Sequence, residues 1–355
     1  MSLCDTYLRE HNYYIPSERK IDLSKKILVI FTGGTIGSRI NADTINVDCD
    51  GKFRLTADYE LINGERDFEC VQLFNILSEN ISHCHWEKLT EYLLGVDTSK
   101  YSGIIITHGS DTLAYTSALL GMYFRHIDIP VFVVASNKPL GEKGSNGLFN
   151  FTAAVKLIEK GGLHGVFTLY EKVMLPTRVI PADTYWDRFT VYGFNGYDDH
   201  SLFMGVSLPM IERTHDQLFF EPLRFEKEIM LIHTYPGMDF SCFVPSDKTA
   251  AVLIEPYHSA TACVNSNRGD SYTLTNFIKR CISSGVMVYI CGVKKNEAMY
   301  DTLSRIIKAG SIPLYSISGP AAYMKLLIAY NQDRMSVKEI MDTNLYFEIV
   351  GKNIR

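Results

Sequence analysis

Three short, unbroken apolar runs in the first half of the chain constrain its fold most strongly. They cover residues 27–31 (ILVIF), 103–107 (GIIIT) and 130–135 (PVFVVA), and a loop and then a helical pattern follow each run. Strands that are buried on both faces give such runs, and their alternation with helices is typical of a parallel sheet. We therefore predict an α/β fold.

A second series of the same kind begins at residue 229. Apolar runs and helical patterns alternate through the rest of the chain, whereas residues 206–227 are less regular and contain two prolines. We predict a larger N-terminal domain with a mostly parallel sheet flanked by helices, and a smaller C-terminal α/β domain. The predicted parts are an N-terminal extension (1–26), the larger domain (27–205), a linker (206–227) and the smaller domain (228–355).

Composition and charge narrow the class of protein. The chain has 355 residues, 46% of them hydrophobic, and a net charge of −5. Such a chain can bury a large core without disulfides, and its charge does not favour nucleic acid or acidic membranes. Its eight cysteines include no C-x-x-C pair, and its first residues lack the apolar stretch of a signal peptide. We expect reduced thiols, a cytoplasmic location and no membrane-spanning segment.

Two polar motifs follow predicted strands, which is where the sites of open parallel sheets form. The first motif is residues 32–37 (TGGTIG), and the second is residues 107–112 (THGSDT). The glycines of the first motif would let the backbone turn sharply and approach a ligand, with the Thr35 hydroxyl pointing into the crevice. A tight turn with a capping threonine explains the first motif equally well. N-capping of a helix by Ser110 or Asp111 would explain the second.

Several other kinds of site are disfavoured. The first motif does not match G-x-G-x-x-G, no Gly-Lys-Ser/Thr follows it, and the chain contains neither G-x-S-x-G nor H-E-x-x-H. His83 and His85 would share a face if they lay on a strand, but no further ligand clusters nearby, so we expect no metal. Residues 77–80 (LSEN) are by themselves typical of a capped loop.

The two motifs together resemble those of the L-asparaginase family, in particular its cytosolic type I branch. Residues 127–140, 144–154 and 235–237 follow in the family's order, so the resemblance covers roughly residues 26–330. It implies hydrolysis of the side-chain amide of L-asparagine to L-aspartate and ammonia, through a threonine nucleophile and an acyl-enzyme, without a metal or cofactor. It also implies a homodimer or homotetramer that acts on a small-molecule amino acid rather than on nucleic acid or a membrane.

The resemblance assigns catalytic roles to three residues. Thr35 takes the place of the nucleophile, and Ser110 takes the place of the second catalytic threonine. Serine keeps the hydroxyl and loses only a methyl group. Asp111 takes the place of the aspartate that orients the site and holds the α-amino group of the substrate.

The resemblance also implies a substrate-binding set. Ser78 would bind the α-carboxylate, and Glu79 stands where the family has a polar residue beside the amino group. Backbone N–H groups in the glycine-rich loop would stabilise the oxyanion, with Gly34 and Gly109 as binding residues.

Two positions depart from the family pattern. The family's catalytic lysine follows an arginine that Arg178 matches, but Ile180 or Pro181 stands at the lysine position. The family's lid tyrosine is also missing, because residues 38–58 contain no tyrosine and Thr44 is the nearest match. A cation for Asp111 would then have to come from elsewhere, such as Arg178, Lys138 or Lys143.

Three hypotheses follow. The chain is an asparaginase that uses Thr35, or it is an impaired relative that binds an amino acid or acts on a different small amide. A third possibility is tRNA-linked glutamate amidation, which the acidic net charge and the lack of a long N-terminal domain disfavour.

Overall fold

The computed structural model describes residues 24–34, 36, 38–41, 44–47, 51–193, 203–204, 217–219, 221–295 and 298–351. The chain divides into two compact units, Met1–Pro222 and Leu223–Arg355. The division falls in the stretch that we interpret as a linker. Much of that stretch, and residues 1–23 of the expected N-terminal extension, lie outside the described residues, so the domain bounds stay predictions.

The first unit is built on one large sheet. Its strands are β1 (Lys26–Gly33), β4 (Phe68–Ile76), β5 (Tyr101–Thr107), β6 (Pro130–Val134), β7 (Gly165–Tyr170), β8 (Lys172–Met174) and β11 (Phe203–Met204). The order across the sheet is β11-β8-β7-β6-β5-β1-β4. All neighbours run parallel except β7 and β8, which run antiparallel. The predicted α/β class, with a mostly parallel sheet, is confirmed.

Helices and two small hairpins make up the rest of the regular structure among the described residues of the first unit. The helices are α1 (Gly51–Asn63), α2 (His83–Leu94), α3 (Leu113–Tyr123) and α4 (Gly147–Lys160). The antiparallel hairpins pair β2 (Ser38–Asn41) with β3 (Thr44–Val47), and β9 (Val179–Asp183) with β10 (Arg188–Val191).

The apolar runs of the sequence form the centre of this unit. Every residue of β5 is buried, as is every residue of β1 after Lys26. Helix α4 packs its apolar face on the sheet, and a Cβ on Gly103 would lie 2.7 Å from Cγ1 of Ile158. The glycine in the second run is therefore required for the helix to approach the sheet closely.

The second unit is a smaller parallel α/β layer with its own core. Its strands are β12 (Glu228–His233), β13 (Thr249–Glu255), β14 (Met287–Val293) and β15 (Ile312–Tyr315), in the order β12-β13-β14-β15. Its helices are α5 (Leu274–Ser283), α6 (Asp301–Lys308), α7 (Gly319–Tyr330) and α8 (Val337–Asp342). Members of its core include Val252, Phe277, Ile290 and Ile306.

A fully buried ion pair holds the end of the second unit together. Nζ of Lys325, on α7, lies 2.7 Å from Oε1 of Glu348, and both side chains are 0% exposed. Lys325 also donates to the carbonyl of Thr343 at 2.5 Å. Glu348 accepts hydrogen bonds from the backbone N–H groups of Leu345 and Tyr346. The pair therefore fixes the segment after α8 against α7.

The two tryptophans of the chain occupy opposite environments. Trp86, on α2, is 6% exposed and donates from Nε1 to the Thr116 hydroxyl of α3 at 2.9 Å. Trp186 lies in the turn between β9 and β10 and is 68% exposed.

Among the described helices, none combines the length and the hydropathy that crossing a bilayer requires.

Candidate active site

The loop after β1 is shaped by two glycines with left-handed backbone angles. Gly33 and Gly34 have φ values of 102° and 79°. A Cβ on Gly33 would lie 2.5 Å from the backbone nitrogen of Ile76, and the N–H of Gly34 donates to the carbonyl of Ile76 at 2.8 Å. The end of β1 is therefore held directly against the end of β4.

The same loop touches the second motif. A Cβ on Gly34 would lie 2.6 Å from Cα of Gly109 and 2.7 Å from the carbonyl carbon of His108. The Thr32 hydroxyl, two residues earlier, donates to the carbonyl of Thr107 at 2.6 Å. Because the pairing of β1 and β5 places Phe31 beside Thr107, both motifs leave the sheet at one edge.

Ser78 completes this junction. A Cβ on Gly109 would lie 2.5 Å from Cβ of Ser78, which is itself buried. The Thr112 hydroxyl donates to the carbonyl of Ser78 at 3.0 Å. The structure thus brings together Gly34, Gly109 and Ser78, three of the residues that the sequence selects, at the carboxyl ends of β1, β4 and β5.

Ser110 and Asp111 follow Gly109 in a turn before α3. The helix begins at Leu113, its N-cap is Thr112, and no side-chain cap bond forms. The interpretation of Ser110 or Asp111 as the N-cap is therefore wrong. Ser110 is half-buried and Asp111 is exposed. Within the described part of the chain, neither side chain makes a hydrogen bond or an ion pair.

The remaining selected residues are placed only in part. Glu79 is exposed in a 3-10 turn at Ser78–Asn80. Thr35 and Gly37 lie outside the described residues, although Ile36 between them is buried. The predicted role of Thr35 as nucleophile stays a prediction.

Residues 26–185 match the family model described as "Asparaginase, N-terminal". This stretch contains both motifs, Ser78 and the five parallel strands of the first sheet. Over this stretch, the chain is similar to the asparaginase family. This similarity supports an amidohydrolase of the asparaginase type and does not by itself fix the amide that is hydrolysed.

Curated relatives and solved structures extend the similarity beyond this domain. The subunit designated D in the glutamyl-tRNA(Gln) amidotransferase of Saccharolobus solfataricus is 25% identical over 354 residues, which cover 91% of this chain and 76% of the relative. The same subunit of Pyrococcus furiosus is 25% identical over 355 residues, with the same coverage. Because these relatives carry an amidotransferase name, the cytosolic type I branch stays a prediction.

The fold is shared with asparaginases of known structure. The thermostable L-asparaginase from Thermococcus kodakarensis superposes with a TM-score of 0.70 at 22% identity, covering 92% of this chain and 100% of that one. L-asparaginase I from Vibrio cholerae O1 biovar eltor gives 0.71 at 22% identity, covering 92% and 99%.

The stretch that departs from the asparaginase lysine pattern forms a turn and then a strand. Arg178 is buried at the end of a 3-10 turn, and Ile180 and Pro181 continue into β9. Nζ of Lys138 donates to the carbonyl of Lys143. Among the described side chains, no cation forms an ion pair with Asp111, so none of the three proposed substitutes for the lysine pairs with it.

Sequence reasoning assigned no role to His108, which supports the second motif. It is 1% exposed, and its Nδ1 lies 2.8 Å from the carbonyl oxygen of Gly109. Burial lowers the pKa of His108 to about 4, so the ring is neutral at pH 7 and Nδ1–H donates this bond. In the sequence, only the position of His108 inside the second motif could have indicated this supporting role.

Two asparagines brace the loops after β6 and β7, and sequence reasoning missed them as well. Asn150 donates to the carbonyl of Ala135 and accepts from the N–H of Glu171, both at 2.8 Å. Asn146 donates to Oε1 of Glu171 at 3.1 Å. A buried amide that satisfies two backbone groups, as that of Asn150 does, fixes loop geometry.

The structure places the two histidines that we considered as metal ligands on a helix. His83 and His85 lie in the first turn of α2 and not on a strand, and Nδ1 of His85 bonds to Ser82 at the helix start. No group of three or more His, Cys, Asp or Glu side chains suited to a metal occurs among the residues with described positions.

Proposed function

We propose that the chain hydrolyses the side-chain amide of L-asparagine to L-aspartate and ammonia, with Thr35 as nucleophile. The observation that carries this proposal is the contact of Gly34, Gly109 and Ser78 at the ends of three parallel strands. Backbone that packs this closely brings the described parts of the two motif loops to one edge of the sheet, where the sites of open parallel sheets form.

In the proposed first step, the Thr35 hydroxyl attacks the amide carbon and the C=O electron pair moves to oxygen. The N–H of Gly34 is already bonded to Ile76, so it cannot be the principal oxyanion donor. The N–H of Gly109 has no backbone acceptor in the described part of the chain, and we assign it this role. The hydroxyl proton of Thr35 passes to the amide nitrogen, the C–N bond breaks and ammonia leaves. The ester that remains on Thr35 is hydrolysed by water to the acid, which restores the hydroxyl.

The exposed Asp111 suits recognition of a free amino acid. A carboxylate without a protein cation can pair with the α-ammonium group of a substrate, and the resulting charge-assisted bond is strong. Ser78 lies beside Gly109 and would meet the α-carboxylate. In the family, the lysine supports removal of the proton from the second hydroxyl, whose place Ser110 takes, so without that lysine we expect slow turnover.

A second candidate is hydrolysis of L-glutamine as the ammonia source of an amidotransferase. The names of the curated relatives favour it. The third candidate is an impaired relative that binds an amino acid without turnover, which the missing lysine favours.

Ammonia release from L-asparagine and L-glutamine by the purified chain separates these candidates. We expect faster release from L-asparagine, a loss on the order of 1,000-fold in Thr35→Ala and a loss of roughly 100-fold in Ser110→Ala. Thr302→Ala, which removes a hydroxyl from α6 in the other unit, is the matched control and should keep full activity.

Each alternative has its own outcome in the same experiment. Faster release from L-glutamine would reject the asparaginase proposal in favour of the second candidate. If neither amide releases ammonia but calorimetry detects binding of L-aspartate, the result would support the third candidate, which binds an amino acid without turnover. Activity that survives Thr35→Ala would remove Thr35 as the nucleophile.

Assembly and location are part of the same proposal. We propose a cytoplasmic homodimer or homotetramer that takes a small-molecule amino acid, without a metal, a cofactor, nucleic acid or a membrane. The proposal rests on the resemblance of the two motifs to those of the L-asparaginase family. Analytical ultracentrifugation would measure the oligomeric state, and a monomer at micromolar concentration would contradict it.

A further inference from the structure

The second unit contains a cavity of about 560 Å³ that the proposed amidohydrolase function does not use. Residues of β14, β15, α7, α8 and the segment after α8 line it. Its walls are mostly apolar and include Met287, Ile312, Leu314, Ile317, Met341 and Ile349. A concave apolar site of this volume is typical of small-molecule binding.

Apolar side chains at this cavity face solvent. Met287 on β14 is 38% exposed, and Tyr315 on the neighbouring strand β15 is 37% exposed. Clustered exposure of large apolar side chains in a concavity marks a surface that gains free energy when a ligand covers it.

A pair of tyrosine hydroxyls supplies a polar group in the cavity. The hydroxyls of Tyr289 and Tyr330 lie 3.0 Å apart and share a hydrogen bond. Burial raises the pKa of both side chains, so both stay protonated at neutral pH. Because the shared bond uses only one of the two protons, the other hydroxyl proton can be donated to a ligand.

The charges that line the cavity leave one positive charge in excess. Lys338 pairs with Asp342 on α8, so these two charges compensate each other. Lys295 also lines the cavity, and no carboxylate pairs with it in the part of the chain that the structure describes. A ligand that complements this lining has an apolar body and one anionic group.

We propose that this cavity binds a small apolar monocarboxylate. Its carboxylate is held by Lys295 and by the donor of the Tyr289–Tyr330 pair, and its hydrocarbon or aromatic body packs on Met287 and Met341. Such a ligand differs in class from the polar amino acid proposed for the first unit, which carries both a cation and an anion.

Binding can be tested on the full chain by NMR of ¹³C-methyl-labelled methionine. The chain has 12 methionines. The methyl resonances of Met287 and Met341 are assigned as those that disappear in the Met287→Leu and Met341→Leu variants. 3-Phenylpropanoate should shift both resonances saturably, and 3-phenylpropan-1-ol, the uncharged counterpart, should bind more weakly. Lys295→Gln should weaken binding of the acid roughly 3- to 5-fold without changing that of the alcohol. Lys279→Gln, on a lysine of α5 that does not line the cavity, should change neither.

The proposal fails if no saturable shift occurs up to on the order of 10 mM acid. It also fails if acid and alcohol bind equally in the parent chain and in Lys295→Gln. Met341→Trp, which fills the cavity, should abolish acid binding measured by calorimetry, and retained binding would place the ligand elsewhere. Shifts of Met341 that depend on protein concentration alone would assign the surface to contact between copies of the chain, which would also overturn the proposal.

Discussion

Gly34 is the residue whose backbone most tightly constrains the candidate site. Its φ of 79° is one that L side chains rarely adopt, and the space where a Cβ would stand is occupied by the backbone of His108 and Gly109. Backbone atoms cannot move aside as the end of a flexible side chain can. The conformation and the contact therefore both require glycine.

Gly34→Ala should lower the free energy of unfolding by at least about 3 kcal/mol and abolish ammonia release. Gly64→Ala is the matched control, because Gly64 has a φ of 90° but nothing within 4 Å of a Cβ. It should cost only about 1 kcal/mol, from backbone strain alone. Urea unfolding measures both free energies of unfolding. Equal losses in the two variants would show that the close contact between Gly34 and Gly109 does not add to the destabilisation.

His108 should make stability depend on pH. The unfolded chain takes up this proton below about pH 6.5, whereas the folded chain takes it up only below about 4, so stability is lost as pH falls through this window. Between pH 7 and pH 5 the parent should lose about 2 kcal/mol more than His108→Gln. Urea unfolding of both proteins at the two pH values tests this, and parallel curves would contradict it.

At the residue scale, sequence reasoning located the junction but not its supports. Gly34, Ser78 and Gly109 could be selected because the two motifs together resemble those of the L-asparaginase family, and Ser78 follows from that resemblance alone. The roles of His108 and Thr112 depend on which backbone atoms face them after folding. No local pattern contains that information.

Among the elements, α7 and the segment after α8 depend on one buried charge pair. Lys325→Met would leave Glu348 buried without its cation, and a broken buried pair typically costs about 3–5 kcal/mol. Lys338→Met removes the same group from an exposed pair with Asp342, and it should cost less than about 1 kcal/mol. Urea unfolding of the two variants measures this contrast, and similar small losses would mean that Glu348 finds another partner.

The elements that sequence reasoning found are those with continuous apolar runs. Residues 27–31, 103–107 and 130–134 lie in the buried strands β1, β5 and β6, and Ala135 directly follows β6. Strand β4 and helices α1 and α2 were missed. Every residue of β4 is at least partly exposed, and its mixed sequence FECVQLFNI lacks a clear run. Strands at sheet edges carry less apolar signal because one side has no neighbour.

On the scale of the whole molecule, charge bears on the tRNA-linked alternative. A chain with a net charge of −5 has little general attraction for the phosphate backbone. We expect no gel shift with tRNA at physiological salt and micromolar protein. Addition of tRNA should likewise leave ammonia release from L-glutamine unchanged. A retarded band that weakens steeply with added salt would contradict this expectation and favour the role named for the curated relatives.

Because the two tryptophans lie in different environments, their fluorescence can report on two different parts of the chain. Trp86 donates to α3, the helix that follows Ser110 and Asp111, while Trp186 lies at the tip of the hairpin that begins directly after Arg178. Acrylamide should quench the exposed indole and spare the buried one, so each Trp→Phe variant leaves a single emitter. The emission of Trp86 can then follow ligand binding beside α3 in real time. The emission of Trp186 follows motion of the hairpin separately.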